Sequence, residues 1–298
     1  MIVLLLSVLF LPGQEGRVLS AEVVPEIKVT ALDNFQPSFY PRKIYLEEAP
    51  SVWAVAAVVR DSESGTVLYS KNPQTILRPA SITKLMTALI ALDYYHPDQV
   101  LMVKRLAPTR GESEMGLAVG DQVTVTNLLY GLLVPSGNDA AYTLADNYPG
   151  GVENFIYSMN KMAKNLHMEN THFANPSGLD QDNHYSTAWD LSLLAVAATK
   201  NSFVTKAVAT YGITLTDATG QKSYPVKNVN QFLGYLPGAD GIKTGFTDLA
   251  GECLVASVSR DNHKIISVVL KSADRFYDSA RLLEWVYRNF SWTNFNEN

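Results

Sequence analysis

Strand-forming sequence lies at the two ends of this chain and helix-forming sequence lies between them. That order constrains the fold more than any other feature. Residues 52–60 (VWAVAAVVR) and 66–70 (TVLYS) read as two strands joined by a Ser-Gly turn. Strand patterns return only at 241–246, 252–259 and 264–271, and 275–289 predicts a closing helix. Between these groups, apolar periodicity predicts helices over 81–95, 127–134, 139–147, 152–166 and 187–199. Strands so far apart must meet to bury their faces. The pattern therefore predicts one sheet built from both chain ends with a helical lobe inserted, an α/β (α+β) architecture.

The core must be sufficient by itself, because the 298 residues include one cysteine and no internal disulfide can form. Cys253 lies in GECLVASVS, which reads as a buried strand, and a structural role is expected for it. Apolar residues make up 47% and charged residues 18%, a normal globular balance. The formal net charge of −5, without runs of like charge, argues against a nucleic-acid partner.

Residues 2–11 (IVLLLSVLFL) are apolar except for Ser7, and Pro12-Gly13 follows. Ten residues are too few to span a bilayer comfortably, which takes about 20. The segment fits the apolar stretch of a secretory signal, with small residues at Ser20-Ala21 for cleavage, although no Lys or Arg precedes Arg17. Residues 1–21 are therefore expected to be a signal peptide or an uncut anchor and membrane tether. The expected location is extracytoplasmic. Pro25, Pro37, Pro41 and Pro50 mark residues 22–50 as an extended linker. A compact domain is expected over 51–290, with 291–298 as a tail.

Three short motifs carry chemistry. In PASITKLMTAL, Ser81 and Lys84 stand three residues apart at a predicted helix start, so both side chains share one face. A hydroxyl becomes a nucleophile when a base takes its proton, and a neutral lysine can be that base. Its ordinary pKa of about 10.4 must fall by two or three units, which burial and a second cation would achieve. The pair alone is weak, since a capping serine and a snorkelling lysine have the same spacing. In LLYGLLVPSGNDAA, Ser136 and Asn138 sit in a break between two predicted helices. There they either cap a connection or place a hydroxyl and a carboxamide in a cleft. In GADGIKTGFTDLAG, Lys243 and Thr244 lie on a predicted strand and could hold a carboxylate. Gly245 would permit close backbone approach, and the N–H of Phe246 could join that of Ser81 as an oxyanion hole.

Ser-x-x-Lys, Ser-x-Asn and Lys-Thr-Gly in this order resemble the signatures of penicillin-binding proteins and serine β-lactamases. RPASITKLMTALIALD, TVTNLLYGLLVPSGNDAAYTLAD, THFANPSGLDQDNHYSTAWDLSLLA and GADGIKTGFTDLAGECLVASVSRD extend the likeness. Over about residues 50–290 the chain resembles the low-molecular-mass D-alanyl-D-alanine carboxypeptidases, serine peptidases of peptidoglycan maturation. The resemblance implies a β-lactamase/transpeptidase-like fold, with a five-stranded antiparallel sheet flanked by helices and a helical lobe. It implies Ser81 as the acylated serine, Lys84 as general base, and Ser136, Asn138, Lys243 and Thr244 as cleft residues. Arg275, in KSADRFYDSARLLEW, is similar to a family arginine that helps to hold the substrate carboxylate; a surface arginine at a helix start is the alternative. Peptidoglycan stem peptides are the implied substrate, β-lactam antibiotics the implied covalent inhibitors, and no metal or organic cofactor is implied. The C-terminal β-rich domain and amphipathic helix of many members are not visible in this sequence, so any attachment is expected from the N-terminal segment.

Other chemistries fit less well. The five histidines lack H-E-x-x-H spacing, and no G-x-S-x-G elbow or phosphate loop is present. Asp180, Asp182 and His184 read as a solvated loop rather than a metal site. A class A β-lactamase would use a glutamate followed four residues later by asparagine. After Glu153 and Glu169 that position holds Tyr157 and Phe173. A D,D-endopeptidase and a non-catalytic wall-binding protein remain as alternatives.

Overall fold

The computed structural model describes residues 39–108 and 113–293. In chain order, the first half contains β1 (Tyr40–Lys43), β2 (Ala56–Asp61), β3 (Val67–Lys71), a 3-10 turn (Ala80–Thr83), α1 (Lys84–Tyr94), β4 (Val100–Met102), β5 (Gln122–Thr124), α2 (Val125–Leu133) and α3 (Asn138–Asn147). There follow α4 (Gly151–Asn165), α5 (Ala188–Thr199), α6 (Ser202–Val208), β6 (Gly212–Thr216), β7 (Ser223–Lys227), β8 (Ala239–Thr247), β9 (Gly251–Arg260), β10 (His263–Ser272), α7 (Arg275–Asn289) and β11 (Phe290–Thr293).

The central sheet has five antiparallel strands in the order β3-β2-β10-β9-β8. Strands from both chain ends meet where β2 pairs with β10, as the sequence order requires. Alternation along the strands separates two cores. Cys253, Val255, Ile266, Val268 and Leu270 face the helical lobe, whereas Leu254, Ala256, Ile265 and Val269 pack with Leu282, Leu283, Trp285 and Val286 of α7. This is the period-two signature of a sheet buried on both faces. Helix α1 is buried on nearly every side, which is why its sequence is apolar without a strong stripe.

The boundaries of α7 are those expected. The first strand begins later than expected, because Val52 and Ala54 enter the α7-side core before regular pairing starts. Residues 40–43, expected to be linker, pair with β11, which holds residues 291–293 of the expected tail. The short hairpins β4–β5 and β6–β7 and helix α6 were not legible as patterns. The expected signal or anchor, and the linker up to residue 38, lie outside the described residues. Among the described residues, no helix is long and apolar enough to cross a membrane.

Candidate active site

Ser81 lies in the 3-10 turn rather than at the first turn of an α-helix, and Lys84 is the first residue of α1. A 3-10 turn has three residues per turn, so positions three apart are eclipsed. Lys84 Nζ stands 2.8 Å from Ser81 Oγ. Ala80, in the same turn, has φ +48°, a conformation that a non-glycine residue adopts only when its surroundings demand it. Two glycines admit the neighbouring chain to this turn. A Cβ on Gly178 would lie 1.9 Å from the Ala80 carbonyl oxygen, and one on Gly245 would lie 3.1 Å from the Ser81 nitrogen. Gly178 itself has φ +87°. The close approach made possible by Gly245 is thus that of β8 to the nucleophile's own backbone.

Lys84 is fully buried. Its amine also reaches Asn138 Oδ1 at 2.8 Å and the Ser177 carbonyl at 2.7 Å. A neutral amine has two N–H donors and one lone pair. In the neutral form the two carbonyl oxygens, which can only accept, take both donors and the lone pair is left for the Ser81 hydroxyl. Burial, and then the Lys243 ammonium, push the Lys84 pKa well below the usual amine range, against an upward pull from Asp139. This is the second cation that the sequence reading required.

Ser136 and Asn138 flank the start of α3. Ser136 is held at φ +66°, and its buried hydroxyl has no hydrogen-bond partner among the described residues. Asp139 then fastens a loop against this turn: its carboxylate accepts from the backbone N–H groups of Met115, Gly116 and Leu117. Asn138 N donates to the Ser113 carbonyl at 2.8 Å. Ser113 is thereby brought to the cleft.

Strand β8 is the edge of the sheet and forms the opposite wall. Buried Lys243 donates to the Thr244 carbonyl at 3.1 Å, and its pKa is pushed down to about 7 by burial and then by Arg275. Arg275 donates to the Gly245 carbonyl at 2.9 Å and lines the cleft, so it is not a free surface arginine. Among the described residues, Lys84, Lys243 and Arg275 have no carboxylate within ion-pair distance. A buried Lys243 and a half-buried Arg275 without ion-pair partners favour an anionic ligand in the cleft they border.

Two clefts meet at Ser81. One of about 280 Å³ is lined by Ser136, Thr244, Gly245, Phe246 and Arg275. The other, of about 330 Å³, is lined by Asn138, Leu179, Asp180, Phe246 and Asp248. Ser81, Ser113 and Phe246 belong to both. Seven of the nine residues singled out in the sequence line these clefts, and buried Lys84 and Lys243 lie behind them, against Ser81 and Asn138 and beside Thr244.

Sequence reasoning missed Ser113, Ser177 and Asp180. No spacing rule announces them, because they are recruited by a backbone carbonyl or by lining alone. His184 is buried rather than solvated. Its Nδ1 accepts from Ala174 N and its Nε2 stands 2.8 Å from Thr83 Oγ1, so it braces the 3-10 turn; burial takes its pKa to about 3. Among the described residues no group of His, Cys, Asp and Glu could hold a metal ion. Cys253 is buried and its thiol is pushed up to about 11, principally by desolvation, in keeping with a structural role. Glu153 and Glu169 are exposed and line neither cleft.

The family model described as D-alanyl-D-alanine carboxypeptidase matches residues 44–274. The chain is 35% identical over 245 residues to the D-alanyl-D-alanine carboxypeptidase DacF of Bacillus subtilis, covering 80% of this chain and 63% of that protein. It is 36% identical over 238 residues to a D-alanyl-D-alanine endopeptidase of Pseudomonas aeruginosa, covering 78% of this chain and 76% of that one. Among solved structures, the Streptomyces K15 DD-transpeptidase matches with a TM-score of 0.75 at 34% identity, over 81% of this chain and 100% of that chain.

Proposed function

The chain belongs to the D-alanyl-D-alanine carboxypeptidase family, and from that premise we propose that it removes the terminal D-alanine from peptidoglycan stem pentapeptides through a Ser81 acyl-enzyme. The observation that carries this reading is the Lys84 amine, buried, 2.8 Å from Ser81 Oγ and with its pKa pushed well below the usual amine range by burial and then by Lys243.

The stem peptide pairs along β8, as extended peptides do with exposed sheet edges. Its terminal carboxylate meets Lys243, Thr244 and Arg275. Lys84 takes the Ser81 proton as the hydroxyl attacks the penultimate D-alanine carbonyl, and the N–H groups of Ser81 and Phe246 stabilise the oxyanion. The proton returns to the leaving amine through Ser136 or Lys84, D-alanine departs, and water hydrolyses the ester. β-Lactams acylate the same hydroxyl. The chain acts outside the cytoplasmic membrane, with residues 1–21 as a cleaved signal or a tether.

Incubation of the purified protein with pentapeptide muropeptides, read by mass spectrometry, tests the reading. Loss of one alanine, together with a penicillin adduct that Ser81→Ala abolishes, supports it. An unchanged substrate and no adduct would mean a non-catalytic scaffold. Cleavage of cross-linked dimers is the second reading, favoured by the comparable identity to relatives named as endopeptidases.

A further inference from the structure

The two clefts that meet at Ser81 carry opposite charge. The one bordered by β8 has Arg275 in its wall and buried Lys243 beside Thr244. The other, of about 330 Å³, has Asp180 and Asp248 in its wall, and among the described residues no lysine or arginine lines it. These two carboxylates come from different parts of the fold. Asp180 belongs to the loop between α4 and α5, and Asp248 to the turn between β8 and β9. Leu179 and the exposed Phe246 ring give the same cleft an apolar wall.

Asp180 is held in place. It accepts from Thr247 Oγ1 at 2.9 Å and from Leu249 N at 3.3 Å, which ties the α4–α5 loop to the end of β8. Arg78, which lines neither cleft, stands 3.9 Å from its carboxylate. Asp248 is exposed, and among the described residues no cation lies within ion-pair distance of it. Among the described residues no group of His, Cys, Asp and Glu could hold a metal ion, so a cation suited to this cleft is one held by hydrogen bonds. The cavity opens at the nucleophile itself, so the group that fills it is part of the substrate.

With the terminal carboxylate in the cationic cleft, the acyl half of the substrate enters the acidic one. The residue upstream of the acylated D-alanine is one extended step further on, about 3.3 Å. Its side chain therefore falls within the cavity that Ser81 shares with Asp180 and Asp248. We infer that this cleft selects stems whose third residue carries a free aliphatic amine, with Asp248 and Asp180 as the residues that determine this specificity. The methylenes lie against Leu179 and Phe246 while the ammonium meets the carboxylates, as the two halves of such a side chain require. A lysine-type and a diaminopimelate-type residue both supply the amine. Through the same amine a stem accepts a cross-link, and acylation there removes its charge. The enzyme therefore trims stems that have not yet accepted a cross-link. The inference rests on the reading that the substrate is a stem peptide.

The test gives the full chain Nα-acetylated X-D-Ala-D-Ala peptides in which X is lysine, diaminopimelate, Nε-acetyl-lysine or norleucine. The kcat/KM for lysine should exceed that for Nε-acetyl-lysine and for norleucine by about tenfold, the worth of one charge-assisted hydrogen bond. Added salt should shrink this ratio, because exposed charges are screened. A diaminopimelate rate equal to that of lysine means that the amine alone is read; a rate as low as that of norleucine assigns the lysine type. Asp248→Asn should bring the ratio of lysine to norleucine close to one, and Asp248→Glu, which keeps the charge, should preserve it. Thermal melts identify any variant that fails to fold. Equal kcat/KM for lysine, Nε-acetyl-lysine and norleucine overturns the inference, and so does a ratio unmoved by Asp248→Asn. The same peptides, as competitors of penicillin acylation, read the cleft without turnover. A lysine preference there without D-alanine release refutes the carboxypeptidase reading and leaves the acidic subsite standing; no preference in either assay refutes the subsite.

Discussion

At the scale of single residues, two buried amines have opposite requirements. Lys84 must be neutral to accept the Ser81 proton, so the rate rises as pH climbs through its lowered pKa. Lys243 must be charged to hold a carboxylate, so substrate capture declines as pH climbs through about 7. The free-enzyme profile, kcat/KM or penicillin acylation, should therefore be bell-shaped with its basic limb near 7. The basic limb of kcat should lie higher, because a bound carboxylate retains the Lys243 proton. Lys243→Arg, charged at all accessible pH, should remove the basic limb, whatever the height of the profile. Lys84→Ala should slow acylation by about 10²- to 10⁴-fold, the usual worth of a positioned base. Gly178→Ala should unfold or severely destabilise the protein, since a backbone oxygen occupies the place of the new methyl and φ is +87°. Thermal melts with and without bound penicillin would measure this.

At the scale of elements, buried carboxylates hold together segments distant in sequence. Asp139, on the first turn of α3, accepts three amides of the Met115–Leu117 loop and also pulls the Lys84 pKa upward. Asp139→Ala should then do two things. It should cost about 2–4 kcal/mol in urea unfolding, as orphaned buried amides do. It should also move the acid limb of the acylation profile to lower pH, because the upward pull on Lys84 is gone. Faster hydrogen exchange at Met115, Gly116 and Leu117 would identify the loop as the segment released; unchanged exchange there would refute the clamp.

At the scale of the whole molecule, the first and last described strands pair far from the chemistry. β1 pairs with β11, and Trp292 stacks on His263 at 4.6 Å and donates to Asp61 at 2.9 Å. Asp61 is on β2, three strands from β8 in the sheet, or about 14 Å at the usual strand spacing. Trp292→Ala should lower stability by about 2 kcal/mol, a Tm fall of about 4–8 °C for a domain of this size. Penicillin acylation at 25 °C should be unaffected. A slower acylation rate in this variant would mean that the terminal sheet and the cleft are coupled.

The sequence by itself determined the sheet from both chain ends and the helical lobe, and it singled out nine residues that the fold brings to the surroundings of Ser81. Periodicity, turn residues and short motifs are local properties, and folding preserved them. The tertiary structure alone decided that the Lys84 pKa falls, because the causes are burial and a Lys243 that is distant in sequence. It alone recruited the Ser177 carbonyl and Ser113, whose contributions depend on position and not on residue type. It also paired residues 40–43 with 290–293: strands this short acquire meaning only from the partner beside them.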